Sequence, residues 1–303
     1  MEDQDILEPK YHLDNDAFSI QYMRKKGYSP MAESHFHTNY EIYYLIRGER
    51  VYFINGTVYT ARSGDLIIIN PHDVHRTTSS EVMEFERILI NFSHDFIRPE
   101  VFAPGMPLLP FPQGSRLLQL PEKERETVER LIREMLHEAK NGKEGGVHYV
   151  RALLMELLIR IYRLSGDHAL MPIQYAHPMH EKISEIASYL NAHYVGEITL
   201  EDIARKFYIS PSYLSRIFKK VTGFQFREYL QLVRVKEAQK QLKETRAKIQ
   251  DIAERVGFEH IAHFNKTFKK WVGVSPLQYR KQFRKDGGRR PVKRGGRTDP
   301  PSE

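Results

Sequence analysis

Ile249–Arg280, IQDIAERVGFEHIAHFNKTFKKWVGVSPLQYR, reads as three short helices set off by a glycine turn and a proline-marked start. Ile249, Ile252, Ala253 and Val256 recur at helical spacing, which gives the first helix one buried face. Gly257 supplies the positive φ that ends it and turns the chain. The second helix is expected to pack Ile261, Phe264 and Phe268 inward and to leave Asn265, Lys266, Lys269 and Lys270 polar. Ser275-Pro276 then gives a cap followed by proline at the first helical position. A short helix, a tight turn and a second helix with cations on its outer face is the pattern that enters a DNA major groove.

The pattern occurs twice. In Ile198–Gly223, ITLEDIARKFYISPSYLSRIFKKVTG, Thr199 and Asp202 make a start like a capping box, and Ile203, Ala204 and Phe207 form the buried face. Ser210-Pro211 opens a helix that buries Leu214, Ile217 and Phe218 and shows Ser212, Ser215, Arg216, Lys219 and Lys220. Both copies close with Phe-Lys-Lys, two residues and a glycine: Phe218 to Gly223 and Phe268 to Gly273. A helical stretch, Phe226 to Leu242, joins them.

These residues carry a resemblance. From about Lys182 to Phe283 the chain closely resembles the DNA-binding domain of the AraC/XylS family of bacterial transcription regulators. The match rests on Asp251-Ile252-Ala253, Val256-Gly257-Phe258, Phe264, Phe268-Lys269-Lys270, Gly273 and Ser275-Pro276-Leu277-Gln278-Tyr279-Arg280. The resemblance implies two helix-turn-helix units set in successive major grooves on one face of the duplex.

Charge agrees with a polyanionic partner for one half only. Residues 1–178 hold 20 Lys+Arg against 25 Asp+Glu, a net of −5; residues 179–303 hold 26 against 14, a net of +12, within a chain total of +7. The chain of 303 residues is long enough for two separate cores. It has no cysteine, so disulfides and thiolate metal sites are excluded, which fits a reducing cytoplasm. The start, MEDQDILEPK, is acidic and polar and lacks a signal-peptide pattern. No apolar run approaches the roughly 18 residues of a membrane span.

Residues 11–95 read as β. Glu41–Ile46 and Arg50–Ile54 are rich in Tyr, Ile and Val, and Asn55-Gly56 marks a two-residue hairpin. Leu66–Ile69 is a fully apolar strand stopped by Asn70-Pro71, and Val82–Phe92 is a further long strand. Many short antiparallel strands suggest a sandwich or jelly-roll barrel. Here His35, His37, Glu41 and Gly48 resemble the first motif of the cupin barrel, and Pro71 and His75 part of the second. Asp73 stands where that motif commonly has glycine. Strand parity puts positions 35, 37, 41 and 43 on one face.

Three readings of this cluster stay open. His35, His37, Glu41 and His75 are suited to a divalent metal by their N and O donors. The same groups with Tyr43 suit a small polar effector such as a sugar, without metal. Or they are structural polar groups left from an ancestral barrel. The regulators the chain resembles sense effectors in this domain, which favours the second reading. No cofactor is expected.

Pro99, Pro104, Gly105, Pro107, Pro110, Pro112 and Gly114 make residues 97–120 an arm or loop. Glu122–Lys140 carries a stripe of Val128, Leu131, Ile132, Met135, Leu136 and Ala139. In Val147–Leu164 the stripe Val150, Leu154, Leu157, Leu158 and Ile161 is widened by Leu153, Met155 and Ile159, which predicts packing on the barrel and a homodimer seam. Gly166–Pro178 reads as a linker, a helix over 180–193 opens the DNA-binding domain, and the Arg- and Gly-rich end reads as a disordered basic tail.

The fold expected is α+β: an N-terminal antiparallel cupin-like barrel with a helical pair, then an all-α double helix-turn-helix domain. The domains run 1–110 (effector binding), 111–177 (helical dimerisation and linker), 178–284 (DNA binding) and 285–303 (tail). Candidate DNA contacts are Ser212, Ser215, Arg216, Lys219 and Lys220 in the first unit and Ile261, Ala262, Asn265, Lys266 and Lys269 in the second. Arg216 is the best base reader, because a guanidinium pairs bidentately with guanine; Lys219 and Lys220 suit phosphates. Ile261 and Ala262 donate no hydrogen bonds, so the first unit should carry most base discrimination and the second mainly backbone affinity, with Asn265 or Lys266 as its candidate base readers. The function expected is a cytoplasmic, non-membrane, effector-responsive transcription regulator, in the resembled family more often an activator, with promoter DNA, RNA polymerase, a small molecule and a second copy of itself as partners. The alternative is a metal-dependent cupin enzyme fused to a DNA-binding domain.

Overall fold

Nine strands and ten helices make up the described chain: β1 (Ile6–Leu7), β2 (Tyr11–Leu13), β3 (Phe18–Lys26), β4 (Tyr40–Ile54), β5 (Thr57–Arg62), β6 (Asp65–Ile69), β7 (His75–Ser79), β8 (Glu84–Phe92), α1 (His94–Ile97), β9 (Arg116–Gln119), α2 (Glu122–Asn141), α3 (Gly146–Asp167), α4 (Pro178–His193), α5 (Leu200–Lys206), α6 (Pro211–Thr222), α7 (Phe226–Glu244), α8 (Ile249–Arg255), α9 (Ile261–Val272) and α10 (Pro276–Asp286). The structure, a computed structural model, describes residues 5–27, 37–97, 109, 111, 114–167, 175 and 177–286. His35, most of the proline-rich stretch, most of the linker and the tail beyond Asp286 lie outside the described residues. The chain divides into two compact units, Met1–Tyr189 with Leu200–Phe226, and Leu190–Thr199 with Arg227–Glu303.

In the first unit every strand pairing is antiparallel. The two predicted strands over 41–54 are one strand, β4, which belongs to both sheets. Its first half pairs with β6 and β8, its second with β5 and β7. The pairing with β8 shifts register between Leu45 and Arg47, and Gly48 follows at φ +95°. The Asn55-Gly56 hairpin is as predicted: both residues have positive φ (48° and 100°), as a type I′ turn requires, and Ile54 faces Thr57.

Period-two alternation sorts the side chains of the first sheet into two cores. Tyr40, Ile42 and Tyr44 join Phe18, Ile20, Ile88, Ile90 and Phe92 on the outer face, under α2 and α3. Tyr43, Leu45, Ile67 and Ile69 face inward with Tyr52, Ile54 and Phe85. Strand β6 needs no polar side chain after Asp65 because alternate residues fall into different cores. The stripes of α2 and α3 close over the outer face: Val128, Leu131, Ile132, Met135, Val150, Leu154 and Leu157 are fully buried. Each such side chain contributes about 1.5–3 kcal/mol. Leu153 lies inside this core at 7 % exposure, so it does not widen the outer stripe; Met155 and Ile159 stay half-buried. The stretch expected as an arm or loop over 97–120 ends in β9, which pairs with β6, and its Leu109 and Phe111 are buried in the outer core. Prolines hid that strand.

Asp65 sits at the β5–β6 turn, 2 % exposed, and accepts a 2.8 Å bond from the Arg62 backbone N–H. Burial raises its pKa from 3.8 to about 6, although that bond and the Arg125 and Arg62 charges oppose the rise. The folded state therefore keeps a proton that the unfolded chain releases. Its stabilising effect is complete below the unfolded value and is lost as pH climbs through the folded one, about 2 to 3 kcal/mol in all. Asp65→Asn keeps the acceptor and removes the charge. Thermal melts of the variant should lose this slope between pH 4 and 7 and exceed wild type at pH 7.5; an unchanged slope would refute the assignment.

The second unit is built on an aromatic ladder. Phe258, Phe264, Phe268 and Tyr279 meet in sequence, edge-to-face or tilted, at ring separations of 5.2, 5.6 and 5.6 Å. Val235, Ala238 and Leu242 of α7 and Ile252, Ala253 and Val256 of α8 complete that core. Gly257 turns the chain at φ +90°, as predicted. Ser275 and Gln278 cap α10 reciprocally: the Gln278 N–H donates to the Ser275 hydroxyl at 3.3 Å, and the Ser275 N–H to Gln278 Oε1 at 3.0 Å. One expectation fails. Ile261 is 39 % exposed rather than inward, because as the first residue of α9 it shares a face with Asn265, four positions on.

Candidate functional site

Two surfaces carry chemistry. The first is an exposed helix face, found on α6 and, separately in the other unit, on α9. Ser210 caps α6 by accepting from the Tyr213 N–H at 3.3 Å, with Pro211 at the first helical position, and Gly223 ends it at φ +85°. Leu214 and Phe218 are fully buried, while Ser212, Ser215, Arg216, Lys219 and Lys220 are exposed. The five residues picked on this helix as DNA contacts thus share one exposed face. Ile217 is only half-buried. The Arg216 guanidinium lies 5.4 Å from the Tyr213 ring centre, within cation–π range. On α9, Ile261, Ala262, Asn265, Lys266 and Lys269 are exposed over buried Phe264, Thr267 and Phe268. His260 caps α9 without a side-chain bond.

Sequence reasoning missed Tyr208. It stands in the turn of the first unit at φ +56° and 95 % exposure, where the second copy has Gly257. Aligning the two copies was the signal that could have found it. His263, exposed on α9, was also missed.

The second surface is a cavity of about 270 Å³ between the two sheets. Glu41 is its centre, 4 % exposed. Its Oε2 accepts from His37 Nε2 at 3.1 Å and from the Asn91 amide at 3.0 Å, and its Oε1 faces His75 Nε2 at 3.7 Å. Cross-strand pairing explains the arrangement: Glu41 on β4 lies opposite Asn91 on β8, and Ile54 opposite His75 on β7. His37 precedes β4, so strand parity does not place it; its Nδ1 donates to the Asn39 carbonyl at 2.7 Å, which fixes the ring. His75 is oriented likewise by donating from Nδ1 to the Asp73 carbonyl at 3.0 Å.

Burial alone would raise the Glu41 pKa, but the His37 bond, the nearby His75 and His37 charges and the Asn91 amide bring it down to about 2. Burial opposes protonation of His37, yet the bond and charge of Glu41 outweigh it and raise its pKa. Both His37 nitrogens face acceptors, the Asn39 carbonyl and the Glu41 carboxylate, an arrangement that suits the protonated ring. His37, Glu41 and His75 each offer a ligand atom within 4.8 Å of the others, a set that fits a divalent cation. Such an ion would take the Nε2 lone pair of His37 in place of its contact with Glu41. Among the predicted residues, His37, Glu41, Tyr43 and His75 come together; His35 lies outside the described residues. Lys10, Asn39, Tyr52, Thr77, Arg87 and Asn91 also line the cavity and were missed. Arg87 and Asn91 left a trace: polar residues four positions apart, and so on one face of β8, around the apolar run Ile88–Ile90.

Two contacts within the first unit join barrel strands to the following helices. Arg76, next to His75 on β7, donates from Nη1 to the Lys219 carbonyl at 3.0 Å, near the end of α6. The Val58 N–H donates to Ser184 Oγ of α4 at 2.9 Å.

Comparison with known proteins assigns a family to each half of the chain. Residues 28–160 match the AraC-like ligand binding domain, and residues 203–282 match a helix-turn-helix domain. The chain is 24% identical over 264 residues to "HTH-type transcriptional activator RhaR" of Mannheimia succiniciproducens, covering 86% of this chain and 91% of that protein. It is 34% identical over 133 residues to the uncharacterized HTH-type transcriptional regulator YijO of Escherichia coli, covering 44% of this chain and 46% of that protein. The C-terminal domain of AraT, a response regulator from Geobacillus stearothermophilus, is 35% identical over 36% of this chain and 88% of that one, with a TM-score of 0.33. Carrying a sheet-rich ligand-binding domain ahead of paired helix-turn-helix units, the chain belongs to the AraC family of transcription regulators.

Proposed function

We propose that this regulator holds promoter DNA with α6 and α9 while the cavity around Glu41 receives a small polar molecule, such as a sugar. The observation that carries the DNA reading is α6: five polar or cationic residues are exposed over a helix side that is fully buried at Leu214 and Phe218. The side chains of that face lie outside the core, and its N-terminal end is the part that enters a groove. The domain boundaries proposed are those read from the sequence, with DNA binding over 178–284. The protein acts as a regulator rather than an enzyme, in the cytoplasm, activating through RNA polymerase; relatives named as transcriptional activators support this. Among the described residues no helix is long and apolar enough to cross a membrane. A homodimer seam is proposed on α3, where Met155, Ile159 and Tyr162 are half-buried on one face. Effector binding acts through β7, whose His75 touches the cluster and whose Arg76 holds the end of α6.

Base discrimination is assigned to the first unit. Arg216→Ala should weaken binding to a cognate site about 10- to 100-fold, on the order of 1–3 kcal/mol, and relax sequence preference. Lys266→Ala should weaken all sequences alike and lower the salt dependence. Fluorescence anisotropy on cognate and scrambled duplexes decides between them. Greater loss of preference in Lys266→Ala would move base reading to the second unit.

A further inference from the structure

The charges around the cavity do not balance. Glu41 is already engaged by His37 and the Asn91 amide. Arg87 also lines the cavity and is 8 % exposed, yet among the described residues it pairs with no carboxylate. Its guanidinium donates only to Gln21, at 3.2 Å to the side chain and 3.5 Å to the backbone carbonyl, and lies 5.8 Å from the Tyr43 ring centre. Lys10 lines the same cavity and donates to the neutral Asn91 amide oxygen at 3.1 Å. The Tyr43 hydroxyl, in a residue 3 % exposed, makes no hydrogen bond of ordinary geometry among the described residues. A buried cation without a counter-charge is costly unless something supplies it.

We infer that the cavity takes a small organic anion, a carboxylate or a phosphate monoester, whose charged oxygens meet Arg87, with Lys10 as a second cation. This rests on the effector reading above and deepens it: a neutral polyol would leave Arg87 unmatched. The planar guanidinium fork suits two anionic oxygens at once. The cavity volume limits the ligand to about the size of one sugar.

The test uses the full-length protein and three probes of matched size: galacturonate, galactose 6-phosphate and galactose. Calorimetric titration should give saturable binding for at least one anion, at least about tenfold tighter than galactose, and Arg87→Met should remove that preference. Which anion binds separates the carboxylate from the phosphate source. Without ligand, Arg87→Met should melt at or above the wild-type temperature, since a buried unmatched charge is gone. Galactose binding as well as either anion overturns the anion inference and leaves the effector reading standing. Binding of none of the three overturns both. A lower melting temperature in Arg87→Met makes Arg87 a structural strut and likewise overturns the inference.

Discussion

Gly48→Ala is expected to unfold the first unit at growth temperature, with a loss of about 4 kcal/mol or more. Two causes add. Gly48 has φ +95°, a conformation that costs an L side chain on the order of 1–3 kcal/mol. A Cβ there would also lie 2.2 Å from the Glu84 carbonyl oxygen and 2.9 Å from Phe85 Cα. Both are backbone atoms of β8, which is paired on its other edge with all nine residues of β3, so β8 cannot give way without moving the sheet. The loss is comparable to the roughly 5–15 kcal/mol that holds a domain folded. Gly27→Ala is the control: its φ is +86°, but nothing lies within 4 Å of the added carbon. It should cost about 1 kcal/mol. If thermal melts place the two variants within a degree or two, the close approach of β8 is not what requires glycine at 48.

The comparison of Gly48 with α6 shows which parts of the molecule were legible in the sequence. The helix faces depend on spacing within a dozen residues, so Ser210, Leu214, Arg216, Phe218 and Gly223 took their expected places. Ile261 was misassigned because at a helix start the apolar stripe has no preceding turn to define it. The cavity is different in kind. Glu41 meets Asn91 and His75 only through the register of β4 against β8 and β7, which is set across long sequence separations. A motif could therefore name His37, Glu41 and His75, but not Arg87, Asn91 or Lys10. The glycine of that motif was visible too, whereas its reason, the passage of β8 against it, was not.

Phe264→Ala should cost the second unit about 3–5 kcal/mol and, through it, weaken DNA binding more than loss of any single exposed cation. Phe264 is fully buried and is the middle rung of the ladder, 5.2 Å from Phe258 and 5.6 Å from Phe268. Removing it opens a cavity where α9 meets the core and cancels two aromatic contacts, each about 0.5–1.5 kcal/mol and included in the total. Because Asn265, Lys266 and Lys269 are carried by the same helix, a loosened α9 loses their common orientation, not one bond. Phe264→Leu refills most of the space and should retain binding within about tenfold. Near-ultraviolet dichroism reports the packing, and duplex affinity at two salt concentrations reports the function. Should the ladder melt while full-length affinity and its salt slope stay at wild-type values, α9 would contribute no phosphate contacts and the first unit alone would hold the DNA.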